Sequence, residues 1–336
     1  QPTTFGAYLL SVLDHLLRGL AQLELAYTFV NRNSGGCGST SGIAWEVDRH
    51  EMTRLLGFDA LVEPAFDCEA SQDHSLAVCF ALSNVLLGLC RTSLDLEIWT
   101  MRDVGFFTLP SDWLGQSSLM PQKAHPGSRM ETVRGHANAV LAHMQHGVFA
   151  YKGEPHGDVL TTVSVPGAAA EALARAKAAG RIYAGFLAAM QPRTDRLRDA
   201  CRREFASASE VVVHLVRELG YGPRRAHRIT ATFVRRSREQ DVPACETTGE
   251  MLDAAAGSIG EAPPGLDTET LRRLLDPRTL IETHVHTGGP APAETRRIVA
   301  DRRAQIAAAR RRQQERLDRR QQGLDALAAA VAALRA

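Results

Sequence analysis

Apolar residues recur along this chain at helical rather than strand spacing. Between Tyr8 and Val30, Leu9, Leu13, Leu16, Leu17, Leu20, Leu23, Tyr27 and Val30 fall on one face, which predicts a long core helix. The glycine-rich run from Ser34 to Gly42 breaks that pattern. A second apolar helix is expected from Leu76 to Met101, with Phe80, Leu87, Leu94 and Ile98 among its inward candidates. Further helical patterns span Val133 to Tyr151, Ala168 to Met190 and Ser207 to Leu219. The tail from Glu294 to Ala336 reads as one amphipathic helix. In it Leu317, Leu324 and Val331 form one heptad row and Leu327 and Leu334 another.

Composition narrows the class. With 336 residues, 44% of them apolar and 23% charged, the chain can bury a sizeable core. A formal net charge of +1 argues against a general polyanion binder. The tail is dense in arginine at Arg310, Arg311, Arg312, Arg319 and Arg320, but lacks aromatic interleaving. A helix–helix contact is therefore the leading reading of it, ahead of nucleic-acid binding. The six cysteines show no Cys-x-x-Cys spacing and read as buried or idle thiols of a cytoplasmic protein. No apolar run looks long enough to span a bilayer, and no signal peptide is visible. His136, His143 and His146, and the His284-Val285-His286 pair, lack a third ligand at matching spacing, so no metal site is expected.

The candidate chemistry sits in Gly115 to Gly135. Two adjacent hydroxyls, Ser117 and Ser118, precede the fixed turn Met120-Pro121, then Lys123 and His125, before a helical pattern resumes near Met130. Such a loop suits proton abstraction beside a carboxylate. The doubled negative charge that appears needs backbone N–H groups, a hydroxyl and a fixed cation, and Lys123 is the available cation. A serine serves as base only where that environment lowers its pKa and water is excluded.

The string Ser117-Ser118-Leu119-Met120-Pro121-Gln122-Lys123, followed by Pro126, resembles the signature loop of the fumarase/aspartase superfamily, in the form used by its argininosuccinate lyase branch. The resemblance implies Ser117 as catalytic base, Ser118 and Met120 as donors to the aci-carboxylate, and Lys123 as an anion anchor. Glu131 matches the glutamate that orients the acid histidine. The family's asparagine is His125 here, which adds a group titrating near neutral pH. Val47-Asp48-Arg49 and Leu56-Gly57-Phe58 also echo the branch, whereas Ser71-Gln72-Asp73-His74 departs from it, with His74 capping or flanking the next helix. The Ser34–Gly42 run resembles a loop that walls the substrate cleft.

The segment Tyr151 to Val159 stands where the branch has residues that hold the arginine moiety of argininosuccinate. Tyr151 is retained, His156 replaces a glutamine and Val159 a lysine. Losing two polar contacts disfavours that substrate. His156 either lines the cleft or faces solvent. The resemblance implies an all-α long-helix bundle over residues 1–219 that carries the loop at 115–135. A small helical C-terminal domain over 220–336 would follow, from the Gly-Pro-Arg-Arg-Ala-His segment near Gly222. It also implies a homotetramer with shared active sites, a small dicarboxylate substrate and no cofactor. The reaction expected is β-elimination from a nitrogen-substituted succinate with release of fumarate. Gln1-Pro2-Thr3 resembles the end of the segment bearing the acid histidine, so the family's N-terminal domain is expected upstream or on a separate polypeptide. The alternative is an inactive or partner-dependent subunit that keeps the lyase fold.

Overall fold

The computed structural model describes residues 1–115, 119–120 and 127–335. Thirteen α-helices dominate these residues, and β-structure among them amounts to two-residue strands and an isolated bridge between Ser39 and Gly42. The all-α expectation therefore holds. The chain divides into two compact units. One comprises Gln1–Ser11, Gly105–Phe107 and Pro192–Arg302, and the other Val12–Val104, Thr108–Gln191 and the chain from Arg303 on.

The larger unit is built on three long helices: α4 (Asp73–Thr100), α5 (Ser128–Gly153) and α6 (Thr161–Ala189). Ahead of them come α1 (Phe5–Val30), α2 (Arg49–Leu56) and α3 (Ala65–Ala70). On α4 the buried row is Leu76, Cys79, Leu82, Leu86, Leu89 and Leu96. It meets Met130, Val133, Ala137 and Val140 of α5, and Val165, Ala168, Ala172, Ala179 and Phe186 of α6, each row at helical spacings of three, four or seven. A fully buried side chain of this size contributes about 2 kcal/mol. Gly147 lets α5 approach closely, since a Cβ there would stand 3.0 Å from Leu76. Tyr183 of α6 donates from its hydroxyl to Thr92 of α4 at 2.6 Å, so that largely buried hydroxyl is paired.

The inward face expected for α4 is wrong. Phe80, Leu87, Leu94 and Ile98 are 52%, 47%, 49% and 40% exposed and form a stripe opposite the buried row. Both faces of α4 are apolar, so periodicity alone could not choose between them. For the same reason α4 is long and apolar enough to cross a membrane by length and composition, contrary to the sequence expectation. Here it packs in the bundle with Glu97 buried within it.

The tail is one helix, α13 (Pro292–Arg335). Its leucine rows stay exposed at Leu317, Leu324 and Leu334. Its arginines pair within the larger unit: Arg312 with Glu24 at 2.9 Å, Arg319 with Asp59, and Arg316 over the Tyr27 ring at 4.3 Å. At Gly323 the helix touches Gly57, which ends α2 at φ 75°, a conformation that favours glycine.

The smaller unit holds α7 (Thr194–Arg203), α8 (Ala208–Arg217), α9 (Pro223–Glu239), α10 (Gly249–Gly257), α11 (Thr268–Leu275) and α12 (Pro277–Thr283). Its core gathers Phe205, Leu215, Ile229, Phe233, Leu252 and Leu271. Asp267 and Asp276 cap α11 and α12 through the N–H groups of Thr270 and Arg278. Glu261 receives both Arg225 and Arg228, and these guanidinium groups hold its carboxyl below the usual range. Position 220, where the sequence reading divides the chain, lies in this unit between α8 and α9.

Candidate active site

Both flanks of the signature loop are anchored in the bundle. Before it, a single 3-10 turn at Ser111–Trp113 seats Trp113 edge-on against Phe186 of α6, with centroids 6.2 Å apart. Gly185 makes room, because a Cβ there would come within 2.6 Å of the indole. Arg129 lies over the same indole at 5.8 Å. After the loop, α5 enters the core at Met130, and Arg134 forms an ion pair with buried Glu97 of α4 at 2.5 Å. Arg134 thereby pins α5 to α4.

The predicted residues fall in three places. Ser117, Ser118, Lys123 and His125 lie outside the described residues. Met120 is 46% exposed, and Glu131 is exposed in the first turn of α5, its N–H donating to Gly127 at 2.8 Å. Tyr151 is half-buried in the last turn of α5, and His156 is exposed just beyond it. The His156 ring stacks on Phe66 of α3 at 5.1 Å and 28°. At Gly157, with φ of 96°, a Cβ would sit 3.2 Å from that phenyl ring and 3.6 Å from Thr40. The glycine-serine loop and the Tyr151–Val159 segment are thus neighbours, although nearly 120 residues apart in sequence.

Distance separates the two groups. From position 131 to position 151 along one continuous helix is about 30 Å at 1.5 Å per residue. Within one chain, therefore, Glu131 at the loop end and Tyr151 and His156 at the other end cannot touch the same small molecule. A dicarboxylate spans far less than this.

Around the glycine loop, Arg49 acts as a staple. Its guanidinium donates to the carbonyls of Gly35 at 3.1 Å, Glu63 at 3.0 Å and Val62 at 2.7 Å, and to Cys68 Sγ at 3.0 Å. Asp48 caps α2 by accepting from Glu51 N–H at 2.9 Å. The Val-Asp-Arg element is accordingly structural. Nearby is a cleft of about 780 Å³ whose lining includes Arg32, Ser34, Cys68, Ser71, Gln72 and His74. Burial holds the His74 imidazole below its ordinary pKa, which favours its neutral form. It is the second residue of α4 rather than its cap, which is Gln72 without a side-chain bond.

Among the described residues no group of three His, Cys, Asp or Glu side chains could hold a metal. His284 instead faces Glu210 at 3.2 Å, with the His286 ring 6.0 Å away. Sequence reasoning missed Phe66, Trp113 and the Glu97–Arg134 pair. Glu97 was the available signal, a carboxylate set among the apolar residues Leu94, Leu96 and Ile98 of α4.

Comparison with known proteins agrees with this architecture. A family model described as Lyase matches residues 1–142. The argininosuccinate lyase of Methanothrix thermoacetophila is 28% identical over 336 residues, covering 95% of this chain and 67% of the relative. That of Azotobacter vinelandii is 30% identical over 308 residues, covering 92% and 64%. The chain thus spans about two thirds of the length of the curated relatives it matches. A variant of EDDS lyase with bound fumarate shares the fold at a TM-score of 0.89 and 24% identity, over 98% of this chain and 66% of that one. By family match, relatives and fold together, the chain belongs to the fumarase/aspartase superfamily, on its argininosuccinate lyase-like branch.

Proposed function

We propose that this chain forms part of a carbon–nitrogen lyase that eliminates an amine from a nitrogen-substituted succinate and releases fumarate. Ser117 removes the proton beside the carboxylate. Ser118 and the Met120 main chain donate to the aci-carboxylate, Lys123 and His125 hold the anion, and Glu131 orients the acid. Tyr151 and His156 recognise the leaving group. The relatives named as argininosuccinate lyases and the fold neighbour with bound fumarate support the reaction class. The replacement of two arginine-holding positions by His156 and Val159 favours a substrate other than argininosuccinate.

The observation that carries the reading is the length of α5. With Glu131 and Tyr151 about 30 Å apart on one helix, a complete site takes its two ends from different chains. The exposed stripe of Phe80, Leu87, Leu94 and Ile98 supplies an apolar face for such an assembly, which we place as a homotetramer in the cytoplasm. The deciding experiment measures fumarate release by the complete assembly over a panel of N-substituted aspartates, beside Ser117→Ala. Loss of turnover by at least 100-fold is expected. Undiminished turnover in that variant overturns the mechanism. A well-folded assembly that releases no fumarate from any of the panel would favour the second reading, an inactive or partner-dependent subunit.

A further inference from the structure

Among the described residues, none assigned to the reaction proposed above lines the cleft of about 780 Å³ beside the glycine loop. Three parts of the larger unit help to enclose it. The end of α1 contributes Phe29 and Val30, the pairing of Arg32–Asn33 with Ala60–Leu61 contributes Arg32 and Leu61, and α4 opens onto it with Gln72, Asp73 and His74. Gln72 is 7% exposed, and its side-chain amide has no hydrogen-bond partner among the described residues, yet that amide is not sealed off from solvent. A side chain buried this far ordinarily keeps its hydrogen bonds, so a free donor and acceptor at the cleft wall mark a place that receives a ligand. The Gln72 carbonyl takes the N–H groups of Ser75 and Leu76 at 3.1 and 3.4 Å. Those of Asp73 and His74, which begin this 28-residue helix, have no intrahelical partner.

The lining carries charge of both signs. Arg32 commits its Nε–H to the Thr28 carbonyl at 3.3 Å and forms no ion pair among the described residues, so the outer nitrogens of its guanidinium are available to an anion. Glu63, Asp67 and Asp73 supply carboxylates, of which only Asp67 is hydrogen-bonded, to the Ser71 hydroxyl. Burial favours the neutral form of His74, so that ring adds a donor and an acceptor rather than a charge. A purely anionic ligand would meet three carboxylates, and a purely cationic one would leave Arg32 unanswered. A molecule with an ammonium and a carboxylate on one carbon answers both, and Phe29, Phe58 and Leu61 offer its side chain an apolar wall. We propose that this cleft binds a free α-amino acid with an apolar or aromatic side chain. Its carboxylate is held by Arg32 and the N–H groups that open α4, its ammonium by Asp67 and Asp73, and the Gln72 amide completes the hydrogen bonds. α3 is a shared wall, since Phe66 stacks on His156 while Asp67 and Cys68 line the cleft. This inference does not depend on the reaction proposed above.

The test titrates the full chain calorimetrically with L-phenylalanine and L-leucine. Beside them stand 3-phenylpropanoate, which lacks the ammonium, and 2-phenylethylamine, which lacks the carboxylate. Saturable binding of one amino acid per chain is expected, with each analogue at least about tenfold weaker than phenylalanine. Arg32→Gln and Gln72→Leu, each checked for unchanged helical circular dichroism, should weaken binding by a similar factor. In the unmutated chain the bound amino acid should also slow amide hydrogen exchange in the first turn of α4, a reading that needs no variant. No saturable binding of either amino acid, an analogue bound as tightly as phenylalanine, binding that both folded variants leave intact, or no protection of that turn would overturn the proposal.

Discussion

Glu97 shows how much one side chain can decide. It is a carboxylate 5% exposed in the apolar seam between α4 and α5, tolerated because Arg134 reaches it. Removing Arg134 leaves that buried carboxylate unpaired, so Arg134→Ala should cost roughly 3 kcal/mol of unfolding free energy. Denaturant titration checks this, and a loss under about 0.5 kcal/mol would show that the pair is solvated. Gly249 is a steric counterpart. A Cβ there would stand 1.9 Å from the Leu266 carbonyl oxygen, so Gly249→Ala must displace backbone and should destabilise by about 1–3 kcal/mol. Glu294 sets a pH limb. Arg297 first, and then the Gly288 N–H, pull its carboxyl down from 4.5 to about 2. A carboxyl lowered on folding adds stability above its unfolded value and loses it as pH falls through the folded one. Glu294→Gln should therefore flatten the decline of Tm between about pH 4.5 and 2, and a superimposable acid limb would discount the contact.

At the scale of the element, α4 carries two apolar faces on one helix. One is filled by α5 and α6, and the other, through Phe80, Leu87 and Leu94, is left facing outward. Leu87→Glu combined with Leu94→Glu should thus leave the helical content of the chain unchanged while lowering its assembly state. Light scattering beside circular dichroism separates the two effects. A collapse of helicity would mean that the outward face supports the bundle itself. The same helix explains a misreading, since a stripe of large apolar residues at seven-residue spacing looks like a core stripe until the second leucine row of the helix is seen to be the packed one.

For the whole molecule the consequence lies in the site. If its two ends come from different chains, hybrids of two inactive variants can rebuild intact sites. Mixing Ser117→Ala with His156→Ala assemblies after dissociation should restore activity toward about a quarter of the wild-type value, because each site draws both intact ends with that frequency. No recovery on mixing, with hybrid formation verified by mass, would place the two ends in separate functions.

The sequence alone determined that long helices alternate with short breaks, because helical periodicity and glycine punctuation are local properties. It also carried the family, since a contiguous string such as Ser117 to Lys123 keeps its chemistry in one dimension. The extents of α5 and α6 were legible only in their apolar middles. Their first residues, Ser128 and Thr161, are polar and no side-chain cap bond marks either start, so no periodic signal reaches that far. Which face of α4 turns inward, the seat of Trp113 and the stack of His156 on Phe66 were decided only in three dimensions. Each depends on what another helix presents across a gap of a few ångströms, and spacing along one chain contains no record of that partner.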